Sequence, residues 1–158
     1  MNKLKSLLLP LLMLAISGAV LFFRAMLTGF SHDEVQFVAS AQTLAKYHLL
    51  PYRDYPFLHM PYQIFINALI VPLTEHHFLA LRLLSSFFSW LTIAAGIIFI
   101  ERYNQNASMP IRILIMILGI FLYLTNTAFV SLDGRALNHT VPTFISIISL
   151  WMLIRFLS

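Results

Sequence analysis

The stretch Pro61-Tyr62-Gln63-Ile64-Phe65-Ile66-Asn67-Ala68-Leu69-Ile70-Val71-Pro72-Leu73-Thr74 decides the topology of this chain. It is apolar, but as a helix its roughly 14 residues reach only ~21 Å, short of the ~30 Å hydrocarbon layer of a bilayer. Such a segment rests at the membrane interface or re-enters the same side. With it lying on the surface, Lys3, Lys5, Arg102, Arg112 and Arg155 fall on one side, with Glu101 as the accompanying acid. The positive-inside rule makes that side cytoplasmic and the N-terminus with it. The opposite side then holds Asp33, Glu34, Asp54, Glu75 and Asp133, together with His32, His48, His59, His76, His77 and His139. A crossing at 61–74 would instead carry Arg102 and Arg112 outside, against the rule.

Composition supports a membrane solvent. The 158 residues are 59% hydrophobic and 10% charged, outside the usual range of soluble domains. The ten Lys and Arg stand singly between apolar runs rather than in a basic stripe, which argues against nucleic acid as a partner. There is no cysteine, so disulfides, thiolate nucleophiles and Cys-type zinc sites are excluded. Four apolar runs of about spanning length predict an all-α integral membrane domain over 1–158: Leu7–Leu27, Leu81–Ile100, Ile111–Val130 and Leu137–Leu157. For the first, a secretory signal competes, with Leu7–Leu14 as its apolar core and Ala15-Ile16-Ser17 as a cleavage site. The run continues through Val20-Leu21-Phe22-Phe23, which an anchor needs and a cleaved signal does not.

The external loop, about residues 28–80, is far longer than an ordinary connection, and loops of that size are usually functional. Ser31-His32-Asp33-Glu34 has the form of a capping box. After it Phe37, Val38, Ala41, Leu44 and Ala45 recur at helical spacing, with Asp33, Gln36, Ser40 and Thr43 on another face. This predicts an amphipathic helix resting on the bilayer surface. Pro51, Pro56 and Pro61 then punctuate an extended connector, and Pro61 suits the first turn of a second, short interfacial helix.

Candidate chemistry gathers on the external side. Glu34 is explained by capping alone, whereas Asp33, on the polar face, is free to take a proton from a bound hydroxyl. Arg24 lies in the outer part of the first span, where a charge is costly and marks a partner unless its side chain snorkels out. Arg53, Arg82 and Arg135 fall near the same interface, and guanidinium groups match phosphate oxygens bidentately; lipid headgroups or ion pairs with Asp54 and Asp133 are the plainer alternatives. Asn138 and His139 form a polar cluster where the fourth run begins, a site hypothesis by default. No H-E-x-x-H pattern occurs, and the adjacent His76-His77 pair is poor spacing for one helix face, so no metal is expected.

Asp33-Glu34 after a first span, then Leu49-Leu50-Pro51-Tyr52-Arg53-Asp54-Tyr55, His59-Met60-Pro61 and Ala80-Leu81-Arg82-Leu83, resembles the first external loop of GT-C-fold glycosyltransferases. These include the protein O-mannosyltransferases, the lipid A aminoarabinose transferases and the Rgt-type lipopolysaccharide transferases. Gly134 to His139, with Pro142 after it, is similar to a further pattern of some bacterial members, and the likeness covers roughly residues 24–142. It implies a bacterial inner-membrane enzyme, needing no cofactor, that moves a sugar from a polyprenyl-phosphate donor to a lipid, protein or glycan hydroxyl on the external face, with inversion. By the resemblance, Asp33, with Glu34, corresponds to the catalytic acid pair, while Arg53 and Arg82 match candidate contacts to the donor phosphate. His59 and Pro61 match the H-x-P that opens the short helix. Family members usually have ten or more spans, so the resemblance is to an N-terminal portion: a truncated gene product, half of a split enzyme completed by a second chain, or an inactive remnant. A non-catalytic membrane subunit and a transporter fragment are the alternatives. Transporters place binding groups near the midplane, whereas here the polar residues cluster at one interface.

Overall fold

The computed structural model describes residues 3–132, 135–137 and 139–157, and these are helical apart from the connector 48–61 and shorter links. The helices are α1 (Lys3–Leu27), α2 (His32–Tyr47), α3 (Tyr62–Ile70), α4 (His77–Tyr103), α5 (Met109–Thr125), α6 (Thr127–Leu132) and α7 (Thr140–Leu157). Three stretches are long and apolar enough to cross a membrane: Leu8–Leu27, His77–Tyr103 and Thr140–Leu157.

The helix α4 is the central post, packed along α1 on one flank and α7 on another, with α5 beside it. Its approach to α1 depends on Gly18, where a Cβ would lie 3.2 Å from both Cδ1 and Nε1 of Trp90. The missing side chain lets the Trp90 indole reach the neighbouring helix and donate to the Leu14 carbonyl at 2.9 Å. Below this contact Leu21, Ile93, Ile97 and Met116 close an apolar core shared by α1, α4 and α5. Large apolar side chains such as Leu11, Phe23, Phe121, Leu122, Met152 and Phe156 point outward instead. On a surface of this kind hydrocarbon is the physically consistent surrounding, since water would not tolerate so large an apolar area.

The third apolar run ends earlier than its composition suggests. The expected span 111–130 is interrupted after Thr125, because Asn126 takes an extended backbone (φ −61°, ψ 122°) and its Oδ1 accepts from the N–H groups of Ala128 and Phe129. An asparagine that caps a new helix competes with continuation of the old one. Conversely, α4 starts four residues before the expected Leu81 and runs three past Ile100, because the polar residues at both ends continue the backbone ladder.

Between α2 and α4, Pro61 opens α3, which runs to Ile70 and tightens into a 3-10 turn, Val71–Leu73. Tyr62–Leu73 is a short apolar helix, below spanning length. The apolar stripe of α2 does not lie bare for a bilayer: Phe37, Val38 and Ala41 are buried against Phe57, Ile64, Val71, Leu81 and Leu137 in a second core. Ser40, expected on the polar face of α2, is buried with them. The loop is thus a small packed cap on one end of the helical bundle.

Candidate functional site

The cap is tied to the bundle by one buried ion pair. Ser31 is the N-cap of α2, and its side chain accepts from the Glu34 N–H at 3.2 Å. The Glu34 carboxylate, which a full capping box would turn back to the Ser31 backbone, reaches across to α4. It accepts from Arg82 Nε at 2.6 Å and Arg82 Nη2 at 2.7 Å, and from the Ala136 N–H at 3.0 Å. Glu34 is 0% exposed and Arg82 is 7% exposed, so neither charge is solvated.

The remaining Arg82 donors close the end of α1. Nη1 donates to the carbonyls of Ala25 (3.2 Å) and Thr28 (2.8 Å), and Nη2 to that of Gly29 (3.3 Å). The Phe30 ring covers the guanidinium at 4.8 Å. A guanidinium has five N–H donors, and all five are accounted for by these bonds. In this arrangement Arg82 has no donor left for a phosphate and Glu34 has no open approach for a hydroxyl. Their role in the structure is to join α1, α2, α4 and the segment before α7 at one point.

Asp33 stands differently. One residue before Glu34, in the first turn of α2, it is exposed, and its side chain makes no hydrogen bond or ion pair among the described residues. The bond from Ala136 to Glu34 brings the 135–137 segment to the same turn, and with it Arg135, whose Nε is buried without a hydrogen-bond partner among the described residues. His139 follows two residues after that segment. Partial loss of hydration and the neighbouring His59 charge both push its imidazole below the ordinary range. His59 itself is half-buried, its ring 5.2 Å from Phe37 and 5.7 Å from Phe57.

The other expected site residues divide. Arg53 is exposed at the tip of the connector and paired with Asp54 at 2.9 Å, which raises the Arg53 pKa and lowers that of Asp54, in both cases chiefly through their mutual hydrogen bond. Arg24 donates from Nη2 to the Leu124 carbonyl at 2.8 Å, linking α1 to the end of α5. Asn138 lies outside the described residues.

Sequence reading missed Tyr52. It sits at φ 66°, a left-handed conformation costly for a bulky residue. There its N–H bonds the Tyr55 carbonyl, and its hydroxyl donates to the His59 carbonyl, drawing the connector into a closed loop that holds His59 against Phe37 and Phe57. The three prolines signalled a bent connector, but no local pattern announces a tyrosine in that conformation. Gln63 and Asn67 were also unmarked: both are fully buried on the inner face of α3, joined by a 2.8 Å bond from Gln63 Nε2 to Asn67 Oδ1.

No family model, curated protein or solved structure matches the chain.

Proposed function

We propose that this chain forms part of a membrane glycosyltransferase, transferring a sugar from a polyprenyl-phosphate donor to an acceptor hydroxyl on the external face with inversion. The observation that carries the reading is Asp33: an exposed carboxylate with no side-chain partner among the described residues, held on a turn whose next residue is locked into the fold. A base for this reaction has to be reachable and fixed in position, and Asp33 has both properties. Asp33 takes the hydroxyl proton, the hydroxyl oxygen bonds to the anomeric carbon from the face opposite the donor phosphate, and the C–O bond to polyprenyl phosphate breaks. The leaving phosphate keeps the electron pair and needs positive charge beside it rather than a proton. Arg135 supplies that charge. The closed set of bonds around Arg82 supports giving it, with Glu34, the task of positioning Asp33.

The same reading includes a topology of four spans, with the N-terminus in the cytoplasm of a bacterial inner membrane and α2 and α3 at the external interface. The packing of α5 beside α4 supports counting it as the fourth span, since 17 helical residues reach ~25 Å and a modest local thinning of the bilayer accommodates them. The basic residues Arg102, Arg112 and Arg155 at the ends away from the cap support the orientation. A second reading, a non-catalytic membrane subunit, is favoured by the use of Glu34 and Arg82 entirely inside the fold.

Transfer of labelled sugar from polyprenyl-phosphate donors, measured on the chain in its complete membrane assembly, separates the two. Asp33→Asn abolishes transfer while leaving insertion and thermal unfolding unchanged. Transfer at the normal rate in that variant removes Asp33 from the role of base, and absence of transfer by the unaltered assembly favours the subunit.

A further inference from the structure

At the end of the bundle opposite the cap, α1, α4 and α5 diverge around a cleft of about 400 Å³. That volume falls in the ~300–1,000 Å³ range of small-molecule sites. Its walls are hydrocarbon, from Leu14, Ile97, Ile113 and Met116 among others, and its rim is ionic, formed by Glu101, Arg102 and Arg112. Arg112 Nη1 donates to Glu101 at 2.8 Å, while Arg112 Nε is buried without a hydrogen-bond partner among the described residues. Arg102 is exposed and lies over the Trp151 ring at 5.7 Å, in the C-terminal half of α7. Glu101 balances one guanidinium, so the rim keeps a net positive charge.

We infer that this cleft binds an anionic phospholipid, with an acyl chain along the hydrocarbon walls and the headgroup phosphate at Arg102 and Arg112. The combination selects for that chemistry. A free phosphate would leave the apolar walls empty, and a neutral hydrocarbon would leave the Arg112 donor without an acceptor in a poorly hydrated place, which is costly. A phosphodiester matches the planar fork of arginine better than a zwitterionic headgroup, whose own cation offsets the attraction. The inference is independent of the glycosyl-transfer reading and uses none of the residues assigned to it.

The test is lipid retention by the purified full chain in detergent, read by native mass spectrometry and by thermal unfolding with added lipid. The lipids are phosphatidylglycerol and phosphatidylcholine of identical acyl chains, with inorganic phosphate as a third addition. The unaltered chain retains phosphatidylglycerol preferentially and is stabilised by it. Arg102→Gln and Arg112→Gln each weaken that preference about fivefold, in keeping with the worth of one basic residue near an anionic headgroup, whereas Lys46→Gln, in the last turn of α2 at the far end, leaves it unchanged. If Arg112→Gln does not fold, Ile113→Trp fills the cleft with both arginines intact and reduces phosphatidylglycerol retention. Equal retention of the two lipids, an unchanged preference in both arginine variants, equal protection by inorganic phosphate, or a lipid-free dimer closed over the cleft would each overturn the inference.

Discussion

Replacing Glu34 by glutamine keeps the shape of the side chain and removes only its charge, so it isolates what the buried ion pair contributes. In the structure the carboxylate accepts three hydrogen bonds, two from Arg82 and one from the Ala136 N–H. The glutamine oxygen can keep the two that converge on Oε1. Its amide nitrogen then faces Arg82 Nη2, donor against donor, and the arginine charge stays buried without a counter-charge. Removing one partner of a buried pair costs about 3–5 kcal/mol. Because three carbonyls at the end of α1 still hold Arg82, the lower end applies, about 3 kcal/mol. For a chain of this size each kcal/mol lowers the melting temperature by ~2–4 °C, so the drop is roughly 6–12 °C. Intrinsic fluorescence of Trp90 and Trp151 during heating in detergent reads it directly. In a double-mutant cycle with Arg82→Gln, the pair is destabilised by clearly less than the sum of the two single variants. A loss below about 1 kcal/mol for Glu34→Gln, or simple additivity in the cycle, would refute the view that this pair joins the cap to the bundle.

Three further outcomes follow from the geometry. Since the chain has no native cysteine, single cysteines report cleanly on sidedness: Asp54→Cys is labelled by an impermeant maleimide from outside and Asn104→Cys only after permeabilisation, and the reverse pattern would invert the proposed orientation. Acidification destabilises the region around His139. Above its ordinary value of 6.5 the imidazole is neutral in both states and contributes nothing, whereas below it the unfolded chain takes up the proton first, so stability falls until the pH passes the depressed folded value. Melting temperatures at about pH 7.5 and about pH 5.5 therefore diverge more in the native chain than in His139→Gln, and equal slopes would contradict the assignment. Gly18→Leu forces side-chain atoms into Trp90 and displaces its bond to Leu14, costing about 1–3 kcal/mol; a variant as stable as the native chain would show that α1 and α4 do not need this approach.

Helix formation and the apolar character of the long runs were legible because they depend on local quantities, namely hydropathy summed over some 20 residues and the spacing of apolar side chains. The start of α2 at Ser31 was legible for the same reason, as a cap is a contact over three residues. The break at Asn126 was not, since an asparagine inside an apolar run reads equally as a tolerated polar residue or as the cap of a new helix. The face of α2 was misjudged in its surroundings: the periodicity identified Phe37, Val38 and Ala41 as a buried stripe but could not say whether lipid or protein would bury it.

The sequence by itself determined an all-α chain with helices fit for a membrane, the short length of the segment after His59, and the exposed acid at Asp33. Only the tertiary structure decided what Glu34 and Arg82 do. They are 48 residues apart, and Ala136 is 102 from Glu34, so no local pattern encodes their meeting. A buried charge is tolerable only where the fold gathers enough partners around it, and that gathering arises from packing between helices, after the local choices have been made.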